Sequence, residues 1–222
     1  MISSVFFDID DTLFPSTEFS EFARRNAIRA LIAMGLPYSE SKITRILNDI
    51  VAKKGSNYPR HFDEVLKRLG VKNRNRYVAA AVAAYHDTKA SISPYPEVPR
   101  ILVALKSAGK RIYVASDGIE VKQWDKLIRM KIALFFDDVF VSENLKIKKG
   151  ENFYKEILRK LRAKPNECLM VGDREDKDIV PAKKAGMLTF RVFRGKYSTK
   201  HKSTVADYYG DDLTRLVDIV KK

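Results

Sequence analysis

Five short apolar segments have the composition of buried β-strands. Each is rich in Val, Ile, Phe or Leu and runs into polar or glycine residues; the five are SSVFFDID, KRIYVASDG, DDVFVSE, CLMVGD and LTFRVF. Amphipathic helical patterns separate the strand segments from about residue 95 to residue 195. This alternation predicts a parallel sheet that is covered by helices on both faces.

The alternation is interrupted directly after the first strand. From residue 16 to residue 91 every periodic segment is helical, and the stretch ends at the proline-rich SISPYPEVPR. We therefore predict an α/β core domain of residues 1–14 and 93–222, with a helical domain inserted at residues 15–92. In a sheet of this kind ligands bind at the carboxyl ends of the strands, near the point where the strand order reverses.

The chain is strongly basic. Its 222 residues include 42 Lys and Arg against 28 Asp and Glu, which gives a formal charge of +14. Such an excess suits nucleic acid, an anionic membrane surface or a small anionic substrate. The basic residues are scattered rather than gathered in one block, which favours a solvated surface and argues against nucleic acid as a partner. The sequence leaves a homodimer open.

Cysteine usage and hydropathy indicate a cytoplasmic protein. Cys168 is the single cysteine, so no internal disulfide can form, and its apolar neighbours predict a buried, inert thiol. The first residues lack the pattern of a signal peptide. No segment approaches the roughly 18 to 20 apolar residues that span a bilayer, so we expect no membrane partner.

Polar residues that can carry chemistry follow the predicted strands. Asp8 and Asp10 end the first strand, and Asp173 ends the segment CLMVGD. Because the carboxyl ends of parallel strands lie at one edge of the sheet, we expect these carboxylates to converge at one crevice. The further candidates there are Ser116, Asp117, Gly118, Lys148, Asp176 and Asp178. Such a set suits a phosphate group together with Mg²⁺, a hard cation that prefers oxygen ligands.

Electrostatics explains why a cation is needed at this crevice. A carboxylate that attacks a phosphate dianion meets two unit charges at about 4 Å, each costing about 4 kcal/mol at an effective dielectric constant of 20. Mg²⁺ and a lysine can offset an energy of that size. Carboxylates act as covalent nucleophiles for phosphoryl groups. Asp8 and Asp10 lie two residues apart and face the same side of a strand, so they can divide the roles of nucleophile and proton carrier.

Four short motifs occur at these strand ends in order along the chain: DIDDT, Ser116 in YVAS, Lys148 in SENLKIKKGENFY, and GDREDKD. They resemble the four motifs of the haloacid dehalogenase superfamily, in the subgroup with a helical cap inserted after motif one. The similarity covers essentially the whole chain. It implies an α/β fold with a Rossmann-like parallel sheet core and a helical cap domain. It also implies a Mg²⁺-dependent phosphatase, a phosphoric monoester hydrolase.

The resemblance assigns a role to each aspartate. Asp8 would be the nucleophile and Asp10 the acid/base, in the hydrolysis of a small phosphorylated metabolite through an aspartyl-phosphate. Magnesium would be held by Asp8, Asp173 and the backbone carbonyl of Asp10. Asp178 would support the metal site from behind its ligands. We expect Thr12 to hold the first loop by hydrogen bonding.

The phosphoryl group would be bound by Ser116 with the backbone of Asp117 and Gly118, and the resemblance assigns its orientation to a lysine of motif three. The family usually has proline after this lysine, whereas Lys149 follows Lys148 here. Lys146 and Lys149 therefore remain alternatives. We prefer Lys148, because Tyr154 then falls where the family often has an aromatic residue.

Three other functions remain open. A sugar phosphomutase would share all four motifs. A 2-haloacid dehalogenase also uses an aspartate nucleophile but needs neither magnesium nor a protonating partner, so the presence of Asp10 argues against it. A basic nucleic-acid-binding protein on an inactive scaffold is the non-enzymatic alternative, and the intact motifs argue against it.

Overall fold

A parallel sheet of six strands organises the larger part of the protein, within residues 1–56, 58–200 and 204–221, which the computed structural model describes. The strands are β1 (Ser4–Phe7), β2 (Arg111–Ser116), β3 (Asp138–Val141), β4 (Cys168–Gly172), β5 (Leu188–Val192) and β6 (Tyr208–Gly210). They pair in the order β3-β2-β1-β4-β5-β6, every pair parallel. The predicted α/β fold with a Rossmann-like parallel sheet is confirmed, and the strand order reverses at the central strand β1.

Continuous apolar runs form the central strands because both of their faces are covered. Phe6 and Phe7 of β1 are fully buried, and the ring of Phe6 stacks on Tyr113 of β2 with a centroid distance of 4.9 Å. Cys168 begins β4 and is buried as predicted. Burial raises the pKa of its thiol to about 11, so the thiol stays protonated and unreactive at neutral pH.

Helices of the same unit cover the sheet. They are α5 (Val98–Ser107), α6 (Glu120–Arg129), α7 (Ser142–Leu145), α8 (Glu151–Leu161), α9 (Val180–Lys184) and α10 (Leu216–Ile219). The four helices that precede them in the chain belong to a separate unit. Helix α8 shows how they pack, since it buries Phe153, Tyr154, Ile157 and Leu158, which recur at helical spacing. These side chains join one core cluster with Phe6 and Met170 of the sheet.

A helical unit of residues 18–91 packs around its own core, and a second compact unit consists of residues 1–17 and 92–222. The helices are α1 (Ser16–Ala33), which begins just before the unit, α2 (Glu40–Lys54), α3 (His61–Arg68) and α4 (Asn75–Thr88). Their apolar stripes meet in one cluster that includes Leu31, Leu47 and Leu66. Our prediction placed the inserted domain at residues 15–92. No helix in the described part of the chain is long and apolar enough to cross a membrane.

Candidate active site

Three buried aspartates converge at the carboxyl ends of β1 and β4. Asp8 follows β1, Asp173 follows β4, and Asp178 lies in the turn beyond; each offers a carboxylate oxygen, and the three atoms lie within 4.8 Å of one another. The N–H of Asp8 donates to the carbonyl of Val171 (2.9 Å). This hydrogen bond extends the β1–β4 pairing and fixes the backbone position of Asp8. All three residues are less than a tenth exposed, so like charges meet here with little water to separate them.

Lys149 supplies the positive charge of this cluster. Its Nζ lies 2.6 Å from Oδ1 of Asp8 and 2.5 Å from Oδ1 of Asp178, and its side chain is 2% exposed. Burial alone would lower the pKa of Lys149, but the charges of Asp178 and Asp8 outweigh it and raise this pKa well above its usual value. The ammonium therefore stays charged between the two carboxylates.

The structure corrects our choice of Lys148 as the lysine of this site. Lys148 is exposed, as is Lys146, whereas Lys149 points inward. The backbone explains the difference, because the N–H of Lys149 donates to Oδ1 of Asp117 (3.0 Å) and this contact anchors residue 149 beside the end of β2. Lys146 has a left-handed conformation (φ 54°) after α7, so the segment leaves the helix irregularly and has no simple alternation of faces.

A π-helical turn (Glu175–Ile179) after β4 fixes Asp178. Its N–H donates to the carbonyl of Arg174 (2.8 Å), and its Oδ2 accepts from the N–H of Arg174 (2.9 Å). Gly172 makes room for the carboxyl group, since a Cβ at residue 172 would lie 2.3 Å from Oδ2 of Asp178. Both carboxylate oxygens of Asp178 are thus engaged, one by Lys149 and one by the turn.

The aspartate cluster fits a magnesium ion. Burial, reinforced by the charges of Asp178 and Asp8, raises the pKa of Asp173 to about 9. Burial also raises the pKa of Asp178 to about 6, against the opposing effect of Lys149. One lysine therefore does not neutralise the cluster, and the donors are carboxylate oxygens, which Mg²⁺ prefers.

The predicted phosphate loop follows β2. Ser116 is the last residue of the strand and is buried. Gly118 requires glycine because its φ is +121°, but its N–H donates to the hydroxyl of Ser142 (2.9 Å). We predicted that the backbone of Gly118 binds phosphate, and in this structure its N–H is engaged by Ser142. The carboxylate of Asp117 connects the loop to Lys149, a contact that the sequence did not reveal.

The three aspartates of DIDDT have different partners. Both carboxylate oxygens of Asp10 accept from Nζ of Lys126, at 2.6 and 2.8 Å. Asp11 accepts from the hydroxyl of Ser16 (3.0 Å) and the N–H of Thr17 (2.9 Å), so it caps the start of α1 and stabilises the turn.

Thr12 makes its hydrogen bonds through its backbone. It is fully buried, and its hydroxyl has no hydrogen-bond partner among the described residues. Its backbone carbonyl accepts from Nη1 of Arg194 (3.1 Å) instead. The backbone N–H of Thr12 also donates to the carbonyl of Ile9 (3.3 Å), so the hydrogen bonds of Thr12 within the described residues are made by its backbone.

Comparison with known proteins identifies the family. The family model for haloacid dehalogenase-like hydrolases matches residues 2–186, which include all the site residues predicted from the sequence. The chain belongs to this family. The membership that we predicted from the four motifs is thereby confirmed.

Several relatives of this haloacid dehalogenase-like hydrolase carry a common name. The chain is 45% identical to a glyceraldehyde 3-phosphate phosphatase of Methanopyrus kandleri over 100% of this chain and 98% of that protein. It is 43% identical to a glyceraldehyde 3-phosphate phosphatase of Methanocaldococcus jannaschii, with the same two shares covered. The predicted class, a phosphoric monoester hydrolase, agrees with these names. The structure of a 2-haloacid dehalogenase from Pseudomonas syringae pv. Tomato DC3000 is similar in fold (TM-score 0.70, 20% identity, 100% of this chain and 99% of that chain).

Two basic residues of this hydrolase contact the site but were not among the residues predicted from the sequence. Lys126 lies on α6 at the edge of a buried face, three residues after the buried Gln123. Arg191 lies on β5, where it donates from Nε to the carbonyl of Asp173 (3.3 Å) and pairs with Glu175 (2.7 Å). In the sequence, Lys126 lies beside a buried helix face and Arg191 lies inside an apolar strand. These positions suggest that the two side chains are partly buried, but they do not predict which residues the side chains contact.

Other polar residues have partners outside the aspartate cluster. Asp176, one of the candidates at the crevice, is exposed and pairs with Arg174 (2.7 Å), so it is an exposed charge outside the aspartate cluster. In the helical unit, a ring nitrogen of His61 lies 3.0 Å from the carbonyl of Gly55, and burial lowers the pKa of His61. Asn57, in the segment GSNYPRHFD, lies outside the described residues.

Proposed function

We propose that this protein is a magnesium-dependent phosphatase that hydrolyses a small phosphorylated metabolite through an aspartyl-phosphate. The observation that carries the proposal is the buried cluster in which Lys149 bridges Asp8 and Asp178, beside Asp173. It lies at the carboxyl edge of the sheet, where the strand order reverses. The names of the relatives support a triose phosphate, glyceraldehyde 3-phosphate, as the substrate.

The first chemical step transfers the phosphoryl group to Asp8. An oxygen of the Asp8 carboxylate forms a bond to phosphorus while the bond from phosphorus to the substrate oxygen breaks. The departing oxygen keeps the electron pair and takes a proton from the carboxyl group of Asp10. Lys149, 2.6 Å from Asp8, reduces the repulsion between the carboxylate and the phosphate anion.

The second step releases phosphate. Asp10, now a carboxylate, takes a proton from a water molecule as the water oxygen bonds to the phosphorus of the aspartyl-phosphate. The bond from phosphorus to Asp8 breaks, and Asp8 recovers its carboxylate. Ser116 and the N–H of Asp117 are the proposed donors to the phosphoryl oxygens, at the buried end of β2.

Asp8, Asp173 and the backbone carbonyl of Asp10 would hold the magnesium ion. When bound, the ion supplies positive charge that stabilises the phosphoryl oxygens and the attacking carboxylate. Asp178 would act from behind these ligands, because both of its oxygens are already engaged by Lys149 and Arg174.

Four further statements from the sequence remain predictions about the protein as a whole. They are the role of the helical unit as a cap, the cytoplasmic location, the homodimer and the absence of a nucleic-acid partner.

The direct test measures phosphate release from an aryl phosphate and from glyceraldehyde 3-phosphate, with Mg²⁺ and with EDTA. We expect activity only with Mg²⁺, and none in the variants Asp8→Asn and Asp173→Asn. Asp176→Asn removes an exposed carboxylate of the same loop and is the matched control, for which we expect activity close to that of the wild type. Unchanged phosphate release in EDTA or in Asp8→Asn would disprove the mechanism. Isomerised sugar phosphate without free phosphate would indicate a mutase instead.

A further inference from the structure

A lysine from helix α6 holds the proposed acid/base residue. Nζ of Lys126 lies 2.6 Å from Oδ1 and 2.8 Å from Oδ2 of Asp10, so the ammonium bridges both carboxylate oxygens. The side chain of Asp10 is 44% exposed, against 10% for Asp8. Without Lys126, the carboxylate of Asp10 would have the freedom of an exposed side chain, whereas proton transfer needs a defined direction.

Lys126 has a fixed place relative to the predicted phosphate loop. On the same helix, Gln123 is buried and donates from Nε2 to the carbonyl of Asp117 (2.6 Å). Leu127, next to Lys126, is fully buried. The ammonium of Lys126 also lies 5.7 Å from the centre of the ring of Phe14, which is itself buried. These contacts connect the position of Lys126 to the residues that would bind the phosphoryl group.

We propose that Lys126 is a positioning residue that aims the carboxyl group of Asp10 at the departing oxygen of the substrate. This inference rests on the proposed phosphatase function. When Asp10 is protonated, one of its oxygens donates to the departing oxygen of the substrate, and the other accepts from the ammonium of Lys126. The proton passes to the departing oxygen as its bond to phosphorus breaks, and Lys126 then holds the resulting carboxylate for the water step.

The leaving group distinguishes this role from a merely structural one. An alkoxide is a poor leaving group and needs a proton during bond cleavage, whereas 2,4-dinitrophenolate departs without one. If the carboxyl group of Asp10 is not correctly oriented, the rate of phosphoryl transfer to Asp8 should therefore fall for an alkyl phosphate and stay the same for an activated aryl phosphate. The ratio kcat/KM reports this step for each substrate, since hydrolysis of the common aspartyl-phosphate comes later.

The experiment compares glyceraldehyde 3-phosphate with 2,4-dinitrophenyl phosphate, using wild type, Lys126→Met and Lys126→Arg with saturating Mg²⁺. For Lys126→Met we expect kcat/KM to fall about tenfold or more on glyceraldehyde 3-phosphate and to change less than about twofold on the aryl ester. Lys126→Arg should recover most of the loss. Lys122→Met is the control, because Lys122 is an exposed lysine one turn earlier on α6; it should leave both values unchanged.

Two results would overturn the role of Lys126: an equal loss of kcat/KM on both esters, or no loss on glyceraldehyde 3-phosphate. Thermal unfolding of each variant identifies a loss of folded protein, and Lys126→Gln provides a second, polar replacement for the same comparison. A wild-type protein that releases phosphate from neither ester would overturn the proposed function as well. An active wild type with an unaffected Lys126→Met would overturn the positioning role alone.

Discussion

Neighbouring lysines at this site differ in burial and in contacts because their backbones are held differently. The segment KIKKG offers three lysines, and Lys149 alone has its N–H fixed by Asp117 and its Nζ between two carboxylates. Lys148 and Lys146 are exposed. A buried lysine with two carboxylate partners can reduce the repulsion between the Asp8 carboxylate and a phosphate group, whereas the charge of an exposed lysine is screened by water.

Replacing Lys149 should therefore abolish most of the activity. We expect Lys149→Met to lower kcat/KM for phosphate release by about 10²–10³-fold, because it removes the positive charge beside the attacking carboxylate. Lys148→Met changes the neighbouring residue in the same way and should stay within about twofold of wild type. Steady-state kinetics of phosphate release check both. A larger loss in Lys148→Met than in Lys149→Met would restore our original choice.

The sequence predicts a residue's position well only where the backbone is regular. Asp8 and Asp173 follow strands whose ends are marked by apolar runs, so their convergence could be inferred. Lys149 follows a short helix and a left-handed residue, Lys146, and no periodicity indicates which lysine points inward. Lys126 could not be inferred as a partner of Asp10, because the pair is 116 residues apart and on different elements.

At the level of elements, the turn between β4 and α9 is braced from several sides. Arg191 of β5 pairs with Glu175 of the turn, and Glu175 also accepts from the hydroxyl of Thr204 (2.8 Å). Gly172 lets the carboxyl group of Asp178 pack directly on the end of β4. The turn therefore places Asp173 and Asp178 in fixed positions relative to the sheet.

A methyl group at residue 172 should disrupt this turn. In Gly172→Ala the new Cβ would lie 2.3 Å from Oδ2 of Asp178, so Asp178 must move and Lys149 loses a partner. We expect a destabilisation of about 1–3 kcal/mol and a large loss of phosphate release. Gly150→Ala is the matched control, because the nearest atom to its Cβ is 3.7 Å away. Chemical denaturation and kinetics measure both effects; a Gly172→Ala protein as stable and active as Gly150→Ala would refute this packing argument.

The elements themselves were largely predictable, with one instructive exception. The strands β1 to β5 are apolar because they are covered on both faces, and each was recognised from its composition. Strand β6 has three residues, Tyr208–Gly210, at the edge of the sheet, and it is only partly buried. Its sequence lacks an apolar run, since pairing with β5 rather than burial defines it.

At the scale of the whole molecule, the aspartate cluster couples the stability of the fold to the protonation of Asp173 and to the binding of a metal ion. Burial together with Asp178 and Asp8 raises the pKa of Asp173 in the folded protein to about 9 from an ordinary value of 3.8. Between these two pH values Asp173 carries a proton in the folded chain but not in the unfolded chain, so without metal its contribution to the free energy of unfolding falls as the pH rises through this range. A bound cation requires the carboxylate, so its binding releases the proton and strengthens with pH.

Stabilisation by Mg²⁺ should therefore grow with pH. In EDTA we expect Tm to fall between pH 6 and pH 8.5, and we expect Mg²⁺ to raise Tm more at pH 8.5 than at pH 6. At a Mg²⁺ concentration about 100 times Kd the stabilisation is about 2.7 kcal/mol, or about 5–10 °C for a chain of this size. Asp173→Asn removes the carboxyl group that carries the coupling and should flatten both trends, whereas Asp176→Asn should keep them, since Asp176 is exposed. Differential scanning calorimetry at the two pH values measures all three proteins. A Mg²⁺ effect that is equal at both pH values, or that persists in Asp173→Asn, would mean that the cation binds without displacing a proton from this cluster.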